Sequence, residues 1–328
     1  MMNDTNSNTP TWLRIWQQNL NTSFTAQHSL INCMMPNDYD ILAIQEPHIN
    51  FLSNTISNHH YHVLYPSTHP IQPTVKTQAV TLVSTKLDSN TWKQLPFPSP
   101  DVIVLQLNGN FGTCTIFNIY NDCKHNDTLQ TLGEYLNSSL QLIRPTTHDH
   151  VIWLGDFNHH HPLWEEECNN HLLTNQHLDH AEPLLELIAD HGMVMALPKD
   201  TPRLEALTSK SWTHPDNVFC TETTTNAIVH CFTDPSKQGP CTDHVPILTS
   251  LKLQIPNTDI RPSRNFNKTL KAFLTPLSIT DPIVTEDQFQ HTAKEFTNAI
   301  IHTINEHIPF SHLSPHSKCW WTKELSLM

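Results

Sequence analysis

Short apolar runs alternate with polar segments along the chain, which is the pattern of buried β-strands whose ends reach solvent. Residues 151–154 form the clearest run and lead into Asp156 and Asn158. Residues 41–44 form a second run, followed by Glu46 and a proline that stops the strand. Because alternate strand side chains share a face, we expect Asp156 and Asn158 to lie side by side in a cleft.

Further strands are predicted where similar runs occur, and helices where apolar residues recur with helical spacing. One helix should begin after Asp127 and stop before Pro145, and another should end before Gly192. The alternation of strands and helices favours an α/β class. The further strands are predicted at residues 13–19, 61–66, 78–85, 101–107 and 113–122 and after residue 244. The helices are predicted at residues 22–34, 127–143 and 182–191. The helix residues expected to face the core are Phe24, Leu30, Ile31, Leu129, Leu132, Leu136, Leu140, Ile143, Leu184, Leu185, Leu187 and Ile188.

Polar residues at strand ends can carry phosphate chemistry. A carboxylate such as Asp156 can deprotonate water, while an amide such as Asn158 donates to a phosphate oxygen without adding negative charge. Taken alone, the pair is more often an ordinary polar turn, and a lone Glu46 is more often solvated surface. Several carboxylates gathered in one cleft would repel one another unless a divalent cation such as Mg²⁺ held them.

The same kind of polar residue recurs beside other buried runs, and this recurrence favours the chemical interpretation. Asn19 and Tyr120 end predicted strands, Asp216 precedes an apolar pair, and Asp243 and His244 precede the closing strand. Tyr120 fits either a core aromatic residue or a phenol that donates to phosphate. Such a set of side chains is typical of a phosphodiesterase site.

The composition limits the possible partners. The 328 residues carry a formal net charge of -13 and 24 histidines, which argues against a nucleic-acid binder of the usual electropositive kind. A carboxylate-rich metal site is compatible with that charge. The eight cysteines form no CxxC pair, so we expect reduced thiols in an intracellular protein. We find no secretory signal and no apolar run of membrane-spanning length.

Taken in chain order, these motifs resemble the endonuclease/exonuclease/phosphatase superfamily, which includes apurinic endonucleases and DNase I. More narrowly, GDFNHHHPLW, THPDNVF and TDHVPI resemble the endonuclease domain at the N-terminus of fungal non-LTR (LINE-type) retrotransposon polyproteins. The resemblance covers residues 13–253. The matching residues are Asn19 in QQN, Glu46 in IQEP, Tyr120 in NIYND, Asp156 and Asn158 in GDFN, Asp216 in PDNVF, and Asp243 and His244 in TDH.

The resemblance implies a DNase I-like fold, a four-layer α/β sandwich in which two mixed β-sheets pack face to face with helices on the outside. Residues 1–12 would be a disordered tail and residues 13–253 the enzyme domain. Residues 254–328 would form a linker and a helical extension, with a capping box at Thr285 and Gln288. The terminal SPHSKCWWTKELSLM resembles the connector to a reverse transcriptase, which does not follow here.

The resemblance also implies a mechanism: metal-dependent DNA endonuclease activity that leaves a 3′-hydroxyl, carried out in the nucleus. A reverse transcriptase acting in trans would be a partner. The implied roles are Glu46, Asn19 and Asp243 as ligands of Mg²⁺ or Mn²⁺; Asp156 as the base that activates water; Tyr120 and Asn158 as phosphate-binding groups; and His244, oriented by Asp216, as the group that stabilises developing negative charge.

Some residues depart from relatives. Asn21 replaces a usual acid, Asn121 directly follows the tyrosine, and His214 replaces a frequent arginine, which should weaken a phosphate contact. Residues 159–161, all histidine, suggest zinc, but their spacing favours loop histidines packed over Trp164. Two other functions stay open: a small-molecule phosphatase or phosphodiesterase, and a decayed copy that only binds nucleic acid.

Overall fold

A computed structural model describes residues 12–33, 38–72, 74–199, 201, 204–205, 212–255, 264–275 and 283–307. These residues divide into two units, one within Met1–Pro256 and one within Asn257–Leu313. Among the described residues, no helix combines the length and the apolar character needed to cross a bilayer. The predicted domain limits stay predictions, and residues 1–11 and the connector-like end lie outside the described residues.

Two six-stranded sheets form the larger unit, and both are mixed. Sheet 1 has the order β13-β14-β1-β2-β4-β3 and sheet 2 the order β5-β6-β7-β8-β12-β9. Only the pairs β1 with β2 and β7 with β8 are parallel. Sheet 1 consists of β1 (Leu13–Asn19), β2 (Ile41–Gln45), β3 (Tyr61–Leu64), β4 (Ala79–Ser84), β13 (Ile228–Thr233) and β14 (Ile247–Leu251), and sheet 2 of β5 (Trp92–Leu95), β6 (Val102–Gly109), β7 (Gly112–Tyr120), β8 (His150–Asp156), β9 (Met193–Met195) and β12 (Asp216–Thr221).

Helices cover the outer faces of the two sheets. The outer face of sheet 1 packs on α1 (Phe24–Cys33), and that of sheet 2 packs on α2 (Asp127–Ile143) and α3 (Asn175–Asp190). Between the sheets lies a third apolar cluster, to which β1, β2, β6 and β8 all contribute. The predicted four-layer α/β sandwich is therefore confirmed. Shorter elements are β10 (Leu204–Glu205), β11 (Trp212–Thr213), α4 (Glu222–Thr225) and two 3-10 helices (Glu167–Leu172 and Pro235–Lys237).

Two predicted core positions are wrong. Phe24 is 55% exposed and packs its ring on two histidines at the surface. Leu140 is 49% exposed and directly follows Ser139, where α2 departs from helical geometry, while Ile143 in the last turn stays buried. The third helix also begins seven residues earlier than predicted, at Asn175 after the Thr174 cap.

The described residues of the second unit form two helices, α5 (Arg264–Leu274) and α6 (Glu286–His307), which pack on each other. The predicted capping box is confirmed, since Gln288 N–H donates to Thr285 Oγ1 and Thr285 N–H donates to Gln288 Oε1. Phe289 and Phe296 of α6 are 56% and 49% exposed.

Candidate active site

The sheets are joined at one edge by a hydrogen bond between two predicted site residues. Asn19 ends β1 in sheet 1, and Asp156 ends β8 in sheet 2. Nδ2 of Asn19 donates to Oδ2 of Asp156 at 2.8 Å, and both side chains are buried. The structure therefore brings the two strand ends together, although 137 positions separate the residues in sequence.

A second contact between the sheets closes this edge beside the first. Tyr120 ends β7 and pairs directly with Asp156 in the parallel ladder, while Glu46 follows the last residue of β2. The Tyr120 hydroxyl donates to Glu46 Oε1 at 2.7 Å. Burial and this bond to Glu46 raise the pKa of Tyr120, so the phenol stays neutral and keeps its proton. Glu46 has a φ of 44°, which turns the chain away from the strand.

Asp216 and His244 form a buried acid–imidazole pair next to Asp156. Strand β12 runs antiparallel to β8, so Asp216 begins its strand directly opposite Asp156. Nδ1 of His244 lies 2.7 Å from Oδ2 of Asp216. Burial lowers the pKa of His244, but the negative charge of Asp216 outweighs it and raises that pKa to about 10. His244 is therefore an imidazolium that donates to Asp216 at neutral pH.

Asp156, Asp216 and His244 offer ligand atoms that all lie within 4.8 Å of one another. Burial and the neighbouring charge of Asp216 raise the pKa of Asp156 to about 7, while the positive charge of His244 opposes the rise. A carboxyl whose pKa lies near neutrality can both accept and release a proton, which is the property of a general base.

Carboxylate oxygens at this edge fit a divalent cation. Among the described residues, Oδ1 of Asp216 and Oδ1 of Asp243 are buried and have no hydrogen-bond partner. Unpaired carboxylate oxygens are the ligands that hard cations take. Oδ1 of Asp243 also lies 3.8 Å from Nε2 of His244. Because both ring nitrogens of an imidazolium carry protons, His244 suits charge stabilisation better than ligation.

Asn158 lies beside Asp156 as predicted, but the structural reason differs from the predicted one. Strand β8 ends at Asp156, so alternation of faces does not extend to Asn158, whose φ of 53° lies in the left-handed region. Its N–H donates to Oδ1 of Asp156 at 3.0 Å, and its Nδ2 donates to the carbonyl of Asn121 at 2.8 Å. A turn, not a strand face, holds the pair side by side. One N–H of the Asn158 amide is left for a ligand.

Sequence reasoning missed the buried amides that hold the sheets in register behind the site. Gln17 donates to the carbonyl of Gly155 at 3.0 Å, and Gln45 donates to Oδ1 of Asn118. Asn118 in turn donates to the carbonyl of Val80 at 2.9 Å. Asn118 interrupts the apolar run of β7, which is a sequence signal that could have revealed it. Gln17 and Gln45 stand at the polar ends of β1 and β2 and carry no such signal.

A second missed group surrounds Glu165, which accepts hydrogen bonds from His160 and His214. His214 has no exposed surface and its ring bonds to Glu165, and the weaker phosphate contact expected from its replacing an arginine stays a prediction. His159 is also buried, and Trp164 packs beneath the histidine run as expected.

A family model described as endonuclease-reverse transcriptase matches residues 114–248. That stretch carries Tyr120, Asp156, Asn158, Asp216 and His244. The resemblance to the endonuclease/exonuclease/phosphatase superfamily is confirmed. Asn19 and Glu46 lie before the matched stretch, and the structure brings them to the same edge.

Solved structures of endonucleases share the superfamily fold with this chain. The endonuclease domain of TRAS1, a telomere-specific non-LTR retrotransposon, is 17% identical with a TM-score of 0.57, covering 74% of this chain and 99% of that one. An AP endonuclease from Archaeoglobus fulgidus is 18% identical with a TM-score of 0.54, and the match covers 74% of this chain and 100% of that one. AP endonuclease LMAP from Leishmania major is 12% identical with a TM-score of 0.58, covering 77% and 91%. The comparison with curated proteins finds no match. At these identities the likeness concerns the fold.

Proposed function

We propose that this chain is a divalent-metal-dependent DNA endonuclease of retrotransposon type that hydrolyses a phosphodiester bond and leaves a 3′-hydroxyl. The observation that supports this most is the position of Asp156, which lies between the Asn19 amide and the Asp216–His244 pair. The description of the matched family as endonuclease-reverse transcriptase supports DNA as the substrate.

In this mechanism Asp156 accepts a proton from the water that attacks phosphorus, the bond from phosphorus to the 3′ oxygen breaks, and that oxygen takes a proton from solvent to become the 3′-hydroxyl. Asn158 holds the phosphate through its remaining amide N–H, and Tyr120 does so by turning its single O–H from Glu46 Oε1 to a phosphate oxygen when substrate binds. The His244 imidazolium, held by Asp216, stabilises the negative charge that develops on the phosphate oxygens. Its charge persists to about pH 10, well above neutrality.

The cation would be held by Glu46, Asn19 and Asp243. Asn19 fits this role through its side-chain oxygen, which accepts one bond from Asn21 N–H and has a second lone pair. Mg²⁺ or Mn²⁺, when bound, supplies positive charge that neutralises the phosphate. Glu46 keeps its Oε2 free of the Tyr120 contact, which uses Oε1.

The proposed setting is that of a retroelement: nuclear target DNA and a reverse transcriptase that acts in trans on the new 3′-hydroxyl. One observation favours a second candidate, a phosphatase or phosphodiesterase for small molecules. The net charge of -13, with only 18 lysines and arginines, offers little attraction to a DNA backbone.

A plasmid assay separates these candidates. We expect the purified chain to nick supercoiled plasmid with Mg²⁺, to stop when EDTA is added, and to leave ends that a DNA polymerase extends. Asp156→Asn should lower the rate at least about 100-fold, since it removes the base. Asp149→Asn is the matched control, because Asp149 is a buried acid before the other end of β8. No nicking by the wild type, or equal nicking by Asp156→Asn, would contradict the proposal.

A further inference from the structure

Glu165 is a fully buried carboxylate with three hydrogen bonds. It accepts from Nδ1 of His160 at 2.8 Å, from Nδ1 of His214 at 2.6 Å and from the backbone N–H of His214 at 3.2 Å. Glu165 and His214 both have no exposed surface. Burying a carboxylate is costly unless hydrogen bonds compensate for the lost water. The three hydrogen bonds to Glu165 supply that compensation. The mechanism above uses none of these three residues.

The position of the cluster connects it to the site. Glu165 lies in the loop that follows β8 and Asp156, and His214 lies two residues before Asp216. A second link runs alongside, because Phe157 N–H donates to the carbonyl of Pro215 at 3.0 Å. The Glu165–His214 contact therefore ties the segment that leaves one strand end to the segment that enters the opposite strand, across 49 positions of sequence.

The backbone of Asp216 is held by its pairing with Asp156 in the β8 ladder and by the segment that precedes it. Among the described residues its side chain has a single hydrogen bond, to His244, and its Oδ1 has no partner. With nothing else fixing the side chain, the backbone must set its distance to His244. The backbone N–H and ring of His214 are both held by Glu165, so the backbone position is fixed from within the core.

We propose that Glu165 is a positioning residue, which holds His214 and thereby keeps Asp216 in contact with His244. This inference rests on the proposed function where it concerns reaction rates. Its geometric part concerns only the Asp216–His244 contact and can be tested without activity.

The first test is NMR of the imidazole protons. A proton shared between Nδ1 of His244 and a carboxylate at 2.7 Å should give a strongly downfield resonance, assigned by its loss in His244→Gln. We expect Glu165→Gln to shift or broaden it, because an amide N–H₂ replaces one acceptor oxygen facing His214. Asp149→Asn is the control, since Asp149 is another buried carboxylate held by hydrogen bonds, from the backbone N–H groups of Thr113 and Thr146. That resonance should be unchanged in the control.

The second test is a double-mutant cycle on nicking. Glu165→Gln should lower kcat about 10- to 100-fold with KM within about twofold, because substrate contacts remain while the geometry of His244 loosens. In the Asp216→Asn background the same substitution should cost at most about twofold. Equal reductions in both backgrounds, or an unchanged His244 resonance, would overturn the proposal.

A folding defect is handled by a second variant. In His214→Gln the new amide can still donate to Glu165, and we expect a smaller shift of the His244 resonance than in Glu165→Gln. If either folded variant leaves that resonance as in the wild type, the positioning role is wrong. If the wild type nicks no plasmid, the proposed function is wrong. The positioning role of Glu165 is then tested by the NMR measurement alone.

Discussion

Asn19 donates a hydrogen bond to Asp156 across the gap between the two sheets, at 2.8 Å. A donor to a carboxylate stabilises its ionised form, and here it opposes the burial and the Asp216 charge that raise the pKa of Asp156. The contact therefore has two consequences: it joins the sheets at the site, and it helps the proposed base to stay ionised.

Removing this donor should make the reaction more dependent on high pH. In Asn19→Ala, Asp156 keeps the N–H of Asn158 but loses the Asn19 amide, so its pKa rises further. We expect the nicking rate at neutral pH to fall about tenfold or more and to recover only partly as pH increases, because Asn19→Ala also removes a proposed ligand of the cation. The measurement is a pH–rate profile of plasmid nicking. If the low-pH part of the profile is the same as in the wild type, the Asn19 contact does not affect the pKa of Asp156.

Asp156 itself should titrate near neutrality in the metal-free protein. Its carboxyl carbon, followed by ¹³C NMR, should show a midpoint at about pH 7, because burial and the Asp216 charge disfavour the anion. The base is active only when ionised, so activity should increase with pH through that range. Added Mg²⁺ should move the midpoint down, since a nearby cation favours the anion.

Asp216→Asn tests whether the charge of Asp216 raises the pKa values of Asp156 and His244. Loss of the Asp216 charge should lower the pKa of Asp156 and also that of His244, for which Asp216 is the main stabilising charge. Both titrations should move to lower pH. Movement of one without the other would contradict the coupling of the three groups.

The Glu165 cluster should contribute stability that disappears in acid. Burial raises the pKa of Glu165, but hydrogen bonds from His160 and His214 outweigh it and lower the pKa from 4.5 to about 2. A depressed carboxyl pKa stabilises the fold above the unfolded value, and the contribution is lost as pH falls from 4.5 towards about 2. The free energy of unfolding in urea should therefore fall by about 3 kcal/mol more in the wild type than in Glu165→Gln over this range.

Gly155 is required by the close approach of β7 and β8. A Cβ at this position would lie 1.8 Å from the carbonyl oxygen of Ile119, and the φ is 153°. Gly155→Ala should cost more than about 1–3 kcal/mol of unfolding free energy and abolish nicking, because the backbone beside Asp156 must move.

Gly192→Ala is the matched control for that substitution. Gly192 has a φ of 58°, but its Cβ would have no neighbour within 4 Å. Only the backbone penalty of about 1–2 kcal/mol applies, and nicking should persist. Equal losses of stability in the two variants would show that the Ile119 contact is not what requires glycine.

The apolar runs and their polar ends were enough to locate most of the strands and the residues at their ends. Residues 151–154 predict β8 because they place apolar side chains on both faces of a buried strand. Residues 13–19 form the predicted β1, although its last three buried side chains are polar. The superfamily resemblance then named the site residues in order. The structure places Asn19, Glu46, Tyr120, Asp156 and Asn158 at one edge, together with Asp216, Asp243 and His244; their catalytic and metal-binding roles stay predictions.

Other features had no local signal. Glu165 looks like one acid among three in WEEEC, and its burial against His214 depends on a loop that returns 49 positions later. Phe24 and Leu140 follow helical spacing and yet lie at the surface. Spacing identifies the face of a helix that turns towards the core, but not how far along the helix the neighbouring sheet covers that face.

By itself, the sequence determined most of the segments that become strands and which chemical groups stand at their ends, since burial of apolar side chains and the stop at proline are local properties. It did not predict the less apolar or shorter strands β5, β9 and β13. Only the tertiary structure decided which of those ends meet. Parallel pairing of β7 with β8 and antiparallel pairing of β12 set Tyr120, Asp156 and Asp216 in one row. The proton affinity of Asp156 follows from that row, because desolvation and neighbouring charge act through space and not along the chain.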